Sequence, residues 1–268
     1  MKSFSVLHSY NGGDLIAMMA GLAHCAKRSG RPAVIYQRLN MPAYYYEGAE
    51  HPIRDGNGEM VTMNKATFDL MKPLVEWQPY VEKFKQYKGE TVDIDLDASR
   101  DRKLVPLPAG DLHFWTTMVA PQFAGDYGER WLHFPPLADN PHKGKIVINR
   151  TSRWPNNFVH YYFLRPYADQ IVFVGLEQEW RDFCTKWEIS VEYQPVVDFL
   201  HLAQLIGEAK FFMGNQSLCW HIAEGLKVKR ILESCPAVPN VFPKGKDGYL
   251  FVYQEALEYY FNLLNAED

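Results

Sequence analysis

The sequence predicts an α/β protein made of two parallel-sheet units, and three observations carry that prediction. Residues 4–37 read strand, helix, strand. A second strand-and-helix rhythm runs from residue 145 to residue 233. Alternation of this kind lays helices against a mostly parallel sheet. The length, 268 residues, accommodates one large domain or two of about 130 residues each. Residues 1–138 are expected to form the first domain, with irregular insertions, and residues 139–268 the second. In this reading the closing helix is free to pack back on the first domain.

In the first half, residues 4–8 are a short strand and Ser9-Tyr10-Asn11-Gly12-Gly13-Asp14 is a turn. Residues 15–29, rich in Ala, Met and Leu, form a helix that Gly30 ends, and residues 32–37 form the next strand. Residues 40–63 break the rhythm. Met41-Pro42-Ala43-Tyr44-Tyr45-Tyr46 and the Asp55-Gly56-Asn57-Gly58 turn suggest a hairpin or an irregular insertion. Residues 65–77 read as a helix interrupted at Pro73, and 79–87 as a short amphipathic segment. Residues 91–97 alternate apolar and acidic, the pattern of a strand with one acidic face. A short helix over 111–119 and a Gly- and Pro-punctuated stretch follow. The polar, breaker-rich segment 137–144 is the expected inter-domain linker.

In the second half, residues 145–149 are a strand, and Arg150-Thr151-Ser152-Arg153-Trp154-Pro155-Asn156 is a turn with two arginines and two hydroxyls. A helical segment over 159–168, broken near Pro166, leads to a strand over 170–175, a helix over 179–187 and a short strand over 191–193. Residues 197–206 are an amphipathic helix. The apolar strand 210–213 ends in Gly214-Asn215-Gln216-Ser217, where a helix to residue 226 begins, and residues 227–233 return as a strand. Residues 237–250 read as loop and 253–264 as a terminal helix.

Composition narrows the function classes. The net charge is −4 with no long basic block, which argues against sequence-independent nucleic-acid binding. The four cysteines, Cys25, Cys184, Cys219 and Cys235, show no C-x-x-C spacing, so neither a structural zinc site nor a redox motif is indicated. The first ten residues lack the apolar core of a signal peptide, and no run of 18 apolar residues exists. A cytoplasmic protein without a transmembrane segment is expected.

Two turns of the second half point at an anion. Ser217 is a good N-cap, and the turn before it leaves backbone N–H groups at the positive end of a helix dipole. Arg150 and Arg153 follow a strand of the same expected sheet, so both turns belong on one carboxyl edge, and arginine forks match phosphate oxygens. Surface ion pairing is the plainer role for the two arginines. In the first half, Asp14 follows two glycines at the carboxyl end of a strand, where ligands of open sheets sit. As a helix cap it would have no such role. A carboxylate opposite a bound diphosphate suits deprotonation of an acceptor hydroxyl while the phosphate leaves. Glu233 ends a strand and could accept from ribose hydroxyls. Tyr44 and Tyr45 could stack on a sugar, or pack. Residues 93–97 hold two overlapping D-x-D triplets, which suit Mg²⁺ or Mn²⁺, although strict strand alternation also accounts for them. No phosphate-loop or dinucleotide fingerprint is present.

Three tracts carry a resemblance. Asn11-Gly12-Gly13-Asp14-Leu15-Ile16 looks like the Gly-Asp start of the lipopolysaccharide heptosyltransferases, glycosyltransferase family 9. The tract Val172 to Glu179, then Leu202-Ala203-Gln204-Leu205-Ile206, then Phe212 to Leu226 with His221 in it, is similar to that family's second domain. The resemblance covers roughly residues 1–35 and 145–235 and implies a GT-B fold, two Rossmann-like domains facing across a cleft. It implies inverting, metal-independent catalysis with Asp14 as general base beside Gly12 and Gly13. Arg150, Thr151, Arg153, Asn215, Gln216, Ser217 and His221 would hold the donor diphosphate, and Gly175, Leu176 and Glu233 the nucleoside. The chain departs from the family in reading Asn215-Gln216-Ser217 where Asp-Thr-Gly is usual, and Arg153 where Lys is usual.

The expected function is therefore transfer of a sugar from a nucleotide-diphosphate donor, with no cofactor or metal, to an acceptor hydroxyl on a glycan, a lipid-linked sugar or a nucleic-acid base. A nucleotide-sugar epimerase or hydrolase, a non-catalytic nucleotide-sugar binder and a metal-dependent transferase using Asp93 and Asp95 are the alternatives.

Overall fold

The computed structural model describes residues 2–45, 51–101 and 110–266. Tyr46 of the tyrosine run lies outside the described residues. The chain divides into two compact units, Met1–His133 and Phe134–Asp268.

The first unit opens with β1 (Phe4–His8), α1 (Gly12–Ser29) and β2 (Ala33–Gln37). α1 buries Leu15, Ile16, Met19 and Leu22, and Gly30 ends it in the left-handed conformation at φ 65°, which a glycine adopts without strain. The helix starts at Gly12, three residues before the apolar pattern does, so Asp14 lies in its first turn and Asn11 is the N-cap residue. A carboxylate there is favoured by the helix dipole.

Residues 38–64 form a hairpin-like excursion with antiparallel bridges Pro42–Val61 and Arg54–Met60. Asp55 closes its tip by accepting the Asn57 and Glu59 N–H groups. α2 (Lys65–Glu76) is capped by the Asn64 side chain and continues through Pro73. Pro73 falls in the last turn, where it removes one intrahelical donor, while its own carbonyl accepts the Trp77 N–H at 3.1 Å. The segment expected to be merely amphipathic is a strand, β3 (Val81–Gln86), and α3 (Leu112–Val119) is capped by Asp111.

The acidic strand expected over 91–97 shrinks to β4 (Ile94–Asp95). The cause is local. Asp93 accepts the Ser5 N–H and hydroxyl, and Asp95 accepts the Asp97 N–H, which turns the backbone into a 3₁₀ turn, Asp97–Arg100. The four strands are parallel in the order β3-β2-β1-β4, so strand order reverses at β1 and β4. The chain over 120–133 then wraps α1: a Cβ on Gly21 would lie 2.6 Å from the Phe123 Cβ, and the Trp131 indole donates to the Ile16 carbonyl.

The second unit runs β5 (Ile146–Asn149), a 3₁₀ segment Tyr162–Gln170, β6 (Ile171–Phe173), α4 (Glu177–Trp187), β7 (Glu192–Tyr193), α5 (Phe199–Gly207), β8 (Phe211–Asn215), α6 (Leu218–Leu226), β9 (Arg230–Glu233), β10 (Gly248–Phe251) and α7 (Gln254–Ala266). Its six strands are all parallel, in the order β10-β9-β8-β5-β6-β7. The central strands are fully buried, hence the unbroken apolar runs Ile146-Val147-Ile148 and Phe211-Phe212-Met213.

β10 begins inside the stretch expected to be loop, residues 237–250, because a four-residue strand carries no periodicity of its own. The helix expected over 159–168 is the 3₁₀ segment, with Pro166 inside it. The segment 137–144 is bonded into this second unit: Asn140 donates to Glu208, His142 to or from Gln194, and the Gly144 N–H to the Glu208 carbonyl. α7 buries Leu257, Phe261 and Leu264 in the same unit's core. Among the described residues, no helix is long and apolar enough to cross a membrane.

Candidate functional site

β6 lies on one side of β5 and β8 on the other, so the second sheet reverses its order between β5 and β8. Ligands of open α/β sheets bind outside the carboxyl ends of strands at such a point. Both turns singled out in the sequence, 150–156 and 215–217, leave the sheet there.

The polar side chains of the second turn build the frame. Asn149 ends β5; its amide donates to the Val174 carbonyl at 2.9 Å and its oxygen accepts the Ser217 hydroxyl at 2.7 Å. Asn215, fully buried, accepts the Thr151 N–H at 2.9 Å and donates to the Thr151 carbonyl at 2.8 Å. Gln216 donates to the Val238 carbonyl and Asn240 and accepts the Cys235 N–H. Ser217 also caps α6, accepting the Trp220 N–H. What this turn offers a ligand is backbone: the first N–H groups of α6 have no partner within the helix.

Gly175 completes the frame. Its φ is 124°, and a Cβ there would stand 2.4 Å from the Asn149 amide nitrogen. Gly175→Ala is expected to cost about 1–3 kcal/mol from backbone strain alone and to push Asn149 off Ser217. An unchanged urea midpoint would contradict this. Leu176 beside it is 46% exposed.

Around the α6 N-terminus sit Thr151, Arg153, Glu179 and Cys219. The Thr151 hydroxyl is buried and has no hydrogen-bond partner. Burial pushes the Glu179 carboxyl up, and the Arg153 charge partly opposes that. Burial, with a contribution from Glu179, pushes the Cys219 thiol up to about 12, against the pull of Arg153. Arg153 thus lies within electrostatic reach of both groups at the helix start. His221, one turn along α6, is buried.

Arg150 and Glu233 have another role. The Arg150 guanidinium meets the fully buried Glu233 carboxylate in a two-point pair at 2.8 and 2.9 Å. The Asn156 N–H and the Tyr161 hydroxyl donate to the same carboxylate. The guanidinium also lies over the Tyr161 and Trp187 rings. Burial is the largest single influence and opposes the Arg150 charge, but Glu233 and Tyr161 together outweigh it and the group titrates above its usual range. The diphosphate role expected for Arg150 and the ribose role expected for Glu233 therefore give way to an anchor that ties the β5 turn to β9. A second anchor holds the far end of α6, where buried Glu224 takes both Arg230 and Lys227.

In the first unit, the order reverses at β1 and β4, and Asp14 stands there. It lines a cavity of about 20 Å³ with His8, Tyr10, Ser99, Leu112 and Trp115. Gly12 is buried and Gly13 half-buried. The polar floor is well fixed. Gln37 donates its amide to the Tyr10 and Arg38 carbonyls, so its oxygen faces His8 Nδ1 at 2.8 Å, and that nitrogen carries the ring proton. Asp97 accepts from Ser9 and Arg38. Tyr45 reaches Asn11 at the start of α1 at 3.3 Å, whereas Tyr44 is 90% exposed. Among the described residues, no three His, Cys, Asp or Glu side chains group so as to hold a metal ion.

Sequence reasoning passed over Asn149, Glu179, Cys219 and His8. A polar residue ending an otherwise apolar strand was the available signal for Asn149 and His8. Nothing in the sequence marks Glu179 or Cys219 apart from their neighbours.

No protein-family model and no curated protein matches the chain. Solved structures do. The glycosyl transferase family 9 protein from Veillonella parvula DSM 2008 superimposes with a TM-score of 0.60 at 13% identity, over 93% of this chain and 86% of that one. E. coli heptosyltransferase WaaC with ADP gives 0.61 at 12% identity, over 98% and 100%. E. coli ADP-heptose lps heptosyltransferase II gives 0.52 at 11%, over 98% of each chain. At such identities the likeness is one of fold: two α/β units, each built on a parallel sheet, of the GT-B class that the resemblance in the sequence implied.

Proposed function

We propose that the protein is an inverting, metal-independent glycosyltransferase that moves a sugar from a nucleotide-diphosphate donor to an acceptor hydroxyl. The observation that carries this is the arrangement at the β5–β8 switch point: the N-terminus of α6, the buried unpartnered Thr151 hydroxyl and Arg153 at one helix start. Two or three hydrogen-bond donors and a guanidinium are what a diphosphate needs as negative charge builds on it. The nucleoside falls to Gly175 and Leu176, with His221 in support.

Asp14 takes the acceptor's hydroxyl proton as the oxygen attacks the anomeric carbon. The bond from that carbon to the phosphate oxygen breaks, and the diphosphate leaves toward α6 and Arg153. The acceptor belongs to the carboxyl edge of the first sheet, with Tyr45 beside it. The donors of the solved relatives favour an adenosine diphosphate sugar, since two are complexes with ADP and with ADP-2-deoxy-2-fluoro heptose. The four cysteines are free, which suits the reducing cytoplasm.

A thermal-shift series of nucleoside diphosphates and their sugars, with and without Mg²⁺, tests the reading, since a ligand bound to the folded state raises the melting temperature. Arg153→Ala is expected to weaken diphosphate binding by roughly 10- to 100-fold, the value of a charge-assisted hydrogen bond of about 1.5–3 kcal/mol. Unchanged affinity would remove Arg153 from the site. Donor consumed with no acceptor present would point to a hydrolase or epimerase instead.

A further inference from the structure

A cleft of about 480 Å³ opens on the first unit, away from Asp14. Gly30 and Pro32 before β2, and Pro79 and Tyr80 before β3, border it, so it sits at the amino ends of the strands, whereas Asp14 follows the carboxyl end of β1. Lys27 on its wall is about 20 Å from Asp14 along α1, at 1.5 Å rise per residue. Occupancy of the cleft is thus separate from the proposed transfer site.

The floor is apolar: Ala20, Ala23 and Pro79, with the ring of Tyr80. The Tyr80 hydroxyl is engaged with the Trp131 carbonyl at 2.7 Å, which leaves the ring as the presented surface. The rim is cationic. Lys27, Arg31 and Arg130 stand on it with His24 and His133, against one acid, Glu129. Lys27 and Glu129 are 3.8 Å apart and mostly exposed, a pairing that neutralises little.

The guanidinium groups are held by backbone oxygens. Arg31 donates to the Lys2 and Ser3 carbonyls, and Arg130 to the Leu132 carbonyl. Just behind the rim, Arg28 donates to the Ala124 and Gln122 carbonyls. Carbonyls orient the Arg31 and Arg28 guanidinium groups without cancelling their charge, so with the exposed Lys27 they give the rim a positive potential in a chain whose net charge is −4. Burial, and then the neighbouring Arg130 charge, hold the His133 imidazole below its usual range.

We propose that this cleft binds a small organic anion, a phosphate or carboxylate headgroup carried on an apolar body. The rim takes the headgroup and the Ala23–Pro79–Tyr80 floor the body. The volume lies within the range of small-molecule sites, about 300–1,000 Å³.

The test uses the full chain and phenyl phosphate, with inorganic phosphate and benzyl alcohol beside it. Phenyl phosphate is expected to shift the imidazole NMR signals of His24 and His133 and to raise the titration midpoint of His133. It should bind at least tenfold more tightly than either fragment. The double variant Lys27→Glu/Arg130→Glu, at exposed positions, should weaken it at least tenfold. Ala23→Trp, which fills the floor and leaves the charges alone, should do the same. Arg153→Ala should leave it unchanged, which separates this cleft from the donor site. Imidazole signals that stay still up to about 10 mM ligand, binding that survives Ala23→Trp, or loss of binding in Arg153→Ala would each overturn the proposal.

Discussion

Asp14→Asn is expected to lower sugar transfer by roughly 100- to 10,000-fold, the usual worth of a positioned general base, while leaving donor affinity within about twofold. The substitution keeps the shape of the side chain and removes its ability to hold a proton. Asp14 lies in the first turn of α1 and lines the small cavity at the β1–β4 switch point. The groups proposed to hold the donor all come from the second unit, so their geometry has no dependence on this carboxylate. Nucleoside diphosphate release, measured with a panel of glycan acceptors and the donor chosen by thermal shift, gives the rate; calorimetry gives the affinity. Wild-type turnover in the variant would end the mechanism. Equal loss of turnover and donor binding would assign Asp14 to the donor instead.

Glu233→Leu is expected to destabilise the second unit by about 3–5 kcal/mol, because it leaves the Arg150 guanidinium buried without its counter-charge. The same change strips the Asn156 N–H and the Tyr161 hydroxyl of their acceptor. The double variant Arg150→Met/Glu233→Leu should recover much of the loss, since it removes both charges and keeps the volume. Urea unfolding followed by circular dichroism reads both effects. Nucleotide binding in the double variant separates the two roles considered for Arg150. Wild-type affinity confirms an anchor. A loss of tenfold or more would restore Arg150 to the phosphate. Glu233→Leu with an unshifted midpoint would show that the pair contributes nothing to the fold.

Much of the fold was legible because its signals are local. Short apolar runs bounded by turn residues, such as Phe211-Phe212-Met213, read as buried strands, Gly30 ends α1, and Ser217 caps α6. The exceptions were decided by contacts distant in sequence or by side chains bonding backbone. β10 exists because β9 offers it a parallel edge. The strand expected over 91–97 is cut short because Asp95 captures the Asp97 N–H. α1 begins before its apolar stripe because the Leu15 N–H bonds the Asn11 carbonyl and closes a first turn over Gly12 and Gly13.

The candidate site divides in the same way. Sequence alone brought the two turns of the second unit to one edge, since strand-to-helix turns of a parallel sheet gather there, and it singled out Arg153 and the start of α6 as candidates in that unit and Asp14 in the first. Only the tertiary structure decided what each polar side chain does there. Asn215, Gln216 and Ser217 look like ligand groups in the sequence, yet each is consumed in joining one turn to the next. Arg150 and Glu233 are 83 residues apart, and no local pattern announces that they cancel one another. A charge or amide declares its chemistry in the sequence, but its role depends on which partner the fold brings within about 3 Å.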